Sequence, residues 1–228
     1  MNQFIMNNSY KVAIIGGGTA GLAAAIFLTK KNGYDVNLFE KFESPKPLGA
    51  GIMLQPTGLA CLASIDLDEK ALNLGARIHN LYGKDVNGGT IFDLTYKDLK
   101  SHMFALGIHR GSLFSLLYDE VLRLKIKITT SSEIIDTIIN QNKRNIIDKF
   151  GQEYGPFDLV IDASGMSSLL REKYGNVNYS KPYPYGAVWG VLEDPNQDFC
   201  SDYLQQRYDG ASTMIGMLAI GKRPMDKK

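Results

Sequence analysis

The residues with the most definite chemistry are Gly16, Gly18, Gly21 and Glu40. The glycines follow the apolar run Val12, Ala13, Ile14, Ile15 in G-x-G-x-x-G spacing, and the acid stands about 20 residues beyond the last of them, where a dinucleotide fingerprint carries its ribose-binding acid. Gly16 permits a tight turn, Gly18 lets the backbone approach a pyrophosphate without a Cβ in the way, and Gly21 lets the next helix lie close to the strand. A helix starting near Ala20 aims its free N–H groups and positive dipole end at the phosphates, and Glu40 accepts hydrogen bonds from ribose hydroxyls. An acid at that place disfavours a 2′-phosphate. The expected ligand is an adenosine nucleotide with free ribose hydroxyls, as in FAD or NAD.

These residues need a βαβ unit to position them. Residues 12–15 read as a buried parallel strand, a helix follows, and residues 36–39 read as the second strand, ending in Glu40. The apolar stretch from Val12 to Leu28 also imitates a secretory signal, but three successive glycines break it. Beyond Glu40, Pro45, Pro47, Gly49, Gly51, Pro56 and Gly58 predict a long loop, and long glycine-rich loops in compact domains tend to be functional. A helix is expected from about Thr57, and a shorter one around residues 71–74, stopped by Gly75. Residues 77–94 read as a hairpin turning at Asn87-Gly88-Gly89. Leu113, Leu116, Leu117 and Val121 then fall at helical spacing behind Ser112, a candidate cap. A short strand is expected at 126–128, a hairpin at 134–139 with 146–150, a turn at 151–155, and a second apolar strand at 157–163. That strand runs into Ser164-Gly165 and a helix over 167–173. Residues 185–194 and a pair within 203–221 read as further strands.

Composition excludes several other functions. A formal net charge of +1 in 228 residues gives no electrostatic case for nucleic acid or an acidic membrane surface. No apolar stretch reaches the length of a membrane span. Cys61 and Cys200 form no C-x-x-C pair, which argues against a zinc site or dithiol centre and fits a reducing cytoplasm. His79, His102 and His109 lack metal-ligand spacing.

Four stretches together resemble the FAD-dependent aromatic hydroxylases, the single-component flavoprotein monooxygenases that include p-hydroxybenzoate and salicylate hydroxylases. They are GGGTAG with Glu40, LGAGIMLQPTG, GIHRGSLFSLL and DLVIDASGMSSLLR. The resemblance covers the N-terminal portion of that family. It implies an α/β fold, a Rossmann-like FAD-binding domain with an interleaved antiparallel substrate-domain sheet that is incomplete here. It assigns residues 1–76 and 105–176 to the FAD-binding domain, and 77–104 and 177–228 to the substrate sheet. Cofactor contacts are implied at Gly16, Gly18, Thr19, Ala20, Gly21, Glu40, Lys41, Gly51, Ile52, Arg110, Ser164 and Gly165, with Gly49 and Ala50 near the flavin ring. Arg110 is the residue expected to reach the ribityl and pyrophosphate region. Gln55 stands between a contact to the flavin ring and one to loop carbonyls. Tyr183, Tyr185 and Trp189 stand between the wall of an aromatic pocket and ordinary core.

The implied reaction uses NADH or NADPH to reduce FAD and O₂ to hydroxylate a small aromatic substrate. The flavin supplies that chemistry, so no catalytic triad is needed. Two departures from the family pattern carry expectations. Ser164 stands where the family has aspartate, with Asp162 two places earlier, so coupling to NAD(P)H is expected to be weakened more than FAD retention. The later G-D-A-x-H segment has no counterpart in the sequence, which opens the alternative of a truncated, non-catalytic FAD-binding fragment. A flavin-dependent reductase of the geranylgeranyl reductase type or a flavin halogenase is the third reading, on the strength of VIDASG. A cytoplasmic protein with no nucleic-acid partner and no metal is expected, and the oligomeric state is left open.

Overall fold

The computed structural model describes residues 9–44 and 49–224. Pro45 and Pro47 of the expected loop lie outside these. By its contacts the chain forms two compact units, residues 1–46 with 117–186 and residues 47–116 with 187–228.

The first unit is built on a parallel sheet in the order β12-β1-β2-β8. Its strands are β1 (Lys11–Ile15), β2 (Asp35–Phe39), β8 (Lys127–Thr129) and β12 (Leu159–Asp162). Val12, Ala13 and Ile14 are fully buried, as a central parallel strand requires, and each branched side chain so removed from water contributes about 1.5–3 kcal/mol. Helix α1 (Thr19–Asn32) packs on this sheet. It ends at Gly33, whose backbone is left-handed (φ 64°) and whose N–H donates to the Thr29 carbonyl, while Tyr34 N–H donates to that of Leu28, with Lys30 and Lys31 suited to the negative end of the helix. A second, antiparallel sheet runs β11-β10-β9, from β9 (Ile134–Asn140), β10 (Lys143–Asp148) and β11 (Glu153–Phe157). Ile134, Ile146, Phe157, Phe39, Ala13, Ile15 and Leu170 form one core between these elements. The expected turn at 151–155 is corrected here. Residues from Glu153 onward pair with β10 as β11, and the reversal is confined to Lys149–Gln152, where Asp148 Oδ1 accepts the N–H groups of Phe150 and Gln152, each at 2.9 Å.

The second unit contains the sheet β14-β13-β5-β6 and the sheet β3-β7-β4. Strands β5 (Asn80–Asp85) and β6 (Thr90–Thr95) are the expected hairpin, closed by Asp85 Oδ1 accepting the N–H groups of Asn87 and Gly89. Strand β13 (Tyr203–Asp209) lies parallel to β5 and antiparallel to β14 (Thr213–Met217). Helices α2 (Pro56–Ser64) and α3 (Asp68–Leu74) lead to β4 (Ala76–Ile78). The long loop expected after Glu40 is interrupted by β3 (Gly51–Leu54), which pairs antiparallel with β7 (Ala105–His109), a strand the sequence reading omits. Glycines discourage a strand by propensity, yet Gly51 and Gly107 sit in this small sheet because other chain lies against both. Helix α4 (Arg110–Arg123) starts at Arg110 itself, so Ser112 is no cap. Its hydroxyl donates instead to the Lys222 carbonyl at 2.6 Å. Residues 185–194 form no strand, and Tyr183, Tyr185 and Trp189 are exposed rather than core.

Candidate functional site

The β1–α1 turn of the first unit has the geometry its glycines predict. Gly16 holds φ +106°, and a Cβ on it would stand 2.4 Å from the Ala163 carbonyl oxygen. At Gly21 a Cβ would stand 1.9 Å from the Gly16 carbonyl oxygen, so no larger residue fits between helix and strand. Gly18 differs from both, because nothing lies within 4 Å of the space its Cβ would take. Its use is to leave that space open. Helix α1 begins at Thr19 with no side-chain cap and no acid in its first turn. First-turn N–H groups have no intrahelical acceptor, so Thr19 and Ala20, both exposed, present donors and a positive dipole end to whatever enters. That arrangement suits an oxyanion such as a pyrophosphate.

Glu40 is 8% exposed and held by backbone. Its Oε2 accepts the Gly17 N–H at 2.7 Å and its Oε1 the Phe42 N–H at 2.9 Å. Each carboxylate oxygen keeps a further lone pair for a ligand hydroxyl. Gly17 is a residue the fingerprint leaves unspecified, yet a Cβ there would stand 2.9 Å from Glu40 Oε2. The signal for it in the sequence is a third glycine inside the motif. Lys41 is exposed, with its ammonium 5.1 Å from the Phe42 ring centroid.

Beside this turn the β12 segment closes on itself. Ala163 N–H extends the β1 ladder to Ile15 at 2.8 Å. Asp162 Oδ1 accepts the Ser164 N–H at 3.0 Å and the Ser164 hydroxyl at 2.5 Å, and its Oδ2 accepts the Ser168 hydroxyl. Burial raises the Asp162 pKa, but the two hydroxyls, the Ser164 N–H and the Arg171 charge outweigh it and hold the carboxyl below its ordinary value. Ser168 in turn accepts the Arg171 N–H at 2.9 Å, capping α5 (Leu169–Tyr174). The Arg171 guanidinium donates to the carbonyls of Gly165 at 3.2 Å and Met166 at 2.6 Å. Gly165, at φ +85°, makes the bend that allows this. Asp162 is therefore the hub of the segment, although the resemblance implies cofactor contacts only at Ser164 and Gly165. Its signal is an acid at the end of an apolar strand with serines two and six residues on.

The second unit holds the other candidates. Arg110 N–H donates to the Ala50 carbonyl at 2.8 Å, and a Cβ on Gly49 (φ +109°) would meet Arg110 Cδ at 2.9 Å. The guanidinium has no carboxylate or carbonyl partner among the described residues, leaving it available to an anion. Gly51 and Ile52 lie in β3, with Ile52 exposed. Gln55 Oε1 accepts the Tyr96 hydroxyl at 2.6 Å. Burial raises the Tyr96 pKa, opposed by that bond.

A model of the pyridine nucleotide-disulphide oxidoreductase family matches residues 10–169. The chain belongs to that family. Cys61 and Cys200 of this chain are free and exposed. Its relatives bear out the resemblance to flavoprotein hydroxylases. The FAD-dependent monooxygenase atnA of an Arthrinium species is 30% identical over 210 residues, covering 83% of this chain and 28% of the relative. The 6-hydroxynicotinate 3-monooxygenase of Bordetella bronchiseptica is 26% identical over 198 residues, covering 83% and 50%. Among solved structures, 2-methyl-3-hydroxypyridine-5-carboxylic acid oxygenase superposes with a TM-score of 0.64 at 26% identity, covering 74% of this chain and 43% of that one. The chain spans half or less of each of these proteins. No helix among the described residues is long and apolar enough to cross a membrane.

Proposed function

We propose that this member of the family binds FAD by its ADP half at the β1–α1 turn, and that the whole protein is a monooxygenase. The observation that carries the reading is the open space at Gly18 beside an uncapped, acid-free helix start, with the buried Glu40 carboxylate next to it. In it, Thr19, Ala20 and Gly21 donate to the pyrophosphate, Glu40 accepts from the ribose, and Lys41 adds charge at the rim. Arg110 serves phosphate or ribityl oxygens, and Gly51 and Ile52 the flavin ring. The functional division we propose is residues 1–76 with 105–176 for FAD and 77–104 with 177–228 for substrate.

FAD supplies the redox chemistry when bound, with NADH or NADPH as reductant and O₂ as co-substrate. What the protein contributes is orientation and the exclusion of water. The relatives named for hydroxynicotinate and hydroxypyridine substrates support a small, hydroxyl-bearing aromatic or heteroaromatic ring as the substrate class. The partly buried Met53, Met103, Leu204 and Leu218, packed in one apolar cluster, suit such a ring. A cytoplasmic location fits the two free cysteines.

Flavin fluorescence titration tests the cofactor reading. Gly18→Val puts a side chain into the open space and should abolish measurable FAD binding without unfolding the protein. Glu40→Ala should weaken FAD by about 1.5–3 kcal/mol, the worth of a charged hydrogen bond. Unchanged affinity in both variants would sink the assignment.

A further inference from the structure

Asp162 stands outside every residue the resemblance assigns, yet its carboxylate controls the proton of one that it does. A serine hydroxyl has one proton and two lone pairs. The Ser164 proton is committed to Asp162 Oδ1 at 2.5 Å, so towards an approaching ligand this exposed hydroxyl offers only lone pairs. A phosphate, itself only an acceptor and negatively charged, finds no donor there and meets the Asp162 charge nearby. A hydroxyl finds an oriented acceptor. The Ala163–Ser164 backbone lies directly against Gly16, a Cβ on which would stand 2.8 Å from Ser164 Cα. The acceptor therefore borders the turn whose N–H groups suit the phosphates. Ser168 cannot serve in the same way, because it gives its proton to Asp162 and accepts from Arg171.

We infer that Asp162 is a positioning residue that fixes Ser164 as an acceptor for a sugar or polyol hydroxyl of the bound dinucleotide. This rests on the proposal that the turn binds FAD. The single aspartate of the family pattern is replaced by a relay in which the charge sits two residues earlier and acts through a neutral oxygen. Asp162→Asn breaks the relay without removing the hydroxyl, since the amide can donate to Ser164 and turn its proton outward.

The experiment has two arms on the full chain. In the first, the Asp162 carboxyl carbon is titrated by NMR without cofactor. Its midpoint, below the ordinary range in the parent sequence, should rise in Ser164→Ala, and an unmoved midpoint overturns the relay. In the second, FAD is titrated by flavin fluorescence. Asp162→Asn and Ser164→Ala should each weaken binding about tenfold, as expected for the loss of one hydrogen bond, while Ser164→Thr, which keeps the hydroxyl, should stay within about threefold by the same measure. FAD binding by the parent sequence with Asp162→Asn and Ser164→Ala unaffected overturns this inference alone. Failure of the parent sequence itself to take up FAD overturns the FAD reading and removes the ligand from this one.

Discussion

The turn at Gly16–Gly21 and the strand β3 at Gly51 are both glycine-bearing segments, but their glycines are required by different things. In the turn, what would collide with a Cβ on Gly21 is the carbonyl of Gly16, five residues away in the same motif. In β3, a Cβ on Gly51 would stand 2.3 Å from Ile220 Cγ2, and one on Gly107 in the neighbouring strand 2.0 Å from the Ala219 carbonyl oxygen. The segment around residues 218–222 is tied down by His109 N–H to the Ile220 carbonyl at 2.9 Å, Lys222 N–H to the Leu74 carbonyl at 2.8 Å, and Ser112 to the Lys222 carbonyl. At Gly21 the first motif is therefore self-contained, although Gly16 also lies against Ala163. The second exists only when distant chain covers it.

The largest effect should come from the self-contained motif. Gly21→Ala forces a Cβ into a backbone oxygen that cannot retreat without opening the turn, and should cost roughly 2–4 kcal/mol in urea denaturation. A loss under half a kcal/mol would show that the turn is not packed against the helix. Gly51→Ala meets a side-chain methyl instead of backbone, the Cγ2 of the β-branched Ile220. It should cost about 1–3 kcal/mol as overpacking, and Ile220→Ala should recover part of this in a double-mutant cycle, whereas strict additivity would disconnect the two residues.

This difference explains what could be read from the sequence. The Gly16 turn, Glu40, α1, β1 and β2 are legible because spacing within thirty residues fixes them. Strands β3 and β7 are not, because β propensity speaks against glycine and the covering residues lie more than a hundred positions away. Ser112 shows the same limit, being a good capping residue whose hydroxyl is taken by Lys222. Residues 185–194 carry a strand pattern but pair with no strand among the described residues, which pattern alone does not reveal. At the site, Ser164 is visible as a departure from the family, whereas its bond to Asp162 is a matter of side-chain orientation that spacing does not state.

A third, smaller test concerns Gln55 and Tyr96, the polar pair of the second region. Tyr96→Phe removes the hydroxyl that Gln55 accepts and should cost about 0.5–1.5 kcal/mol in thermal or chemical denaturation. A cost near zero would mean that water replaces the bond and that the pair does not hold β3 and α2 in place.

The smallest effect is expected where the first region has its own distant tether. Asp136 on β9 accepts from Lys173 Nζ at 2.5 Å and from the Tyr174 hydroxyl, so α5 is fastened to the antiparallel sheet. Lys173, Tyr174 and the Thr137 N–H, in that order, lower the Asp136 pKa from 3.8 to about 2. A depressed carboxyl contributes stability that is present above its unfolded value and lost as pH falls through the folded one. The contribution should therefore disappear between pH 3.8 and about 2, and it should be small because the pair is exposed and screened. Lys173→Ala should raise the Asp136 midpoint in an NMR titration, and an unshifted midpoint would release α5 from this tether.

The bare start of α1 also makes melting behaviour a binding measurement. Those unsatisfied N–H groups are part of the native state and are dispersed on unfolding, so a ligand that fits them binds the folded chain alone. The denaturation midpoint should then climb with the logarithm of ligand concentration, by about 1.4 kcal/mol of added stability per tenfold once the site is saturated. A nucleotide without a pyrophosphate should give a smaller rise at matched concentration, which turns a thermal scan into a ranking of what the turn was shaped to hold.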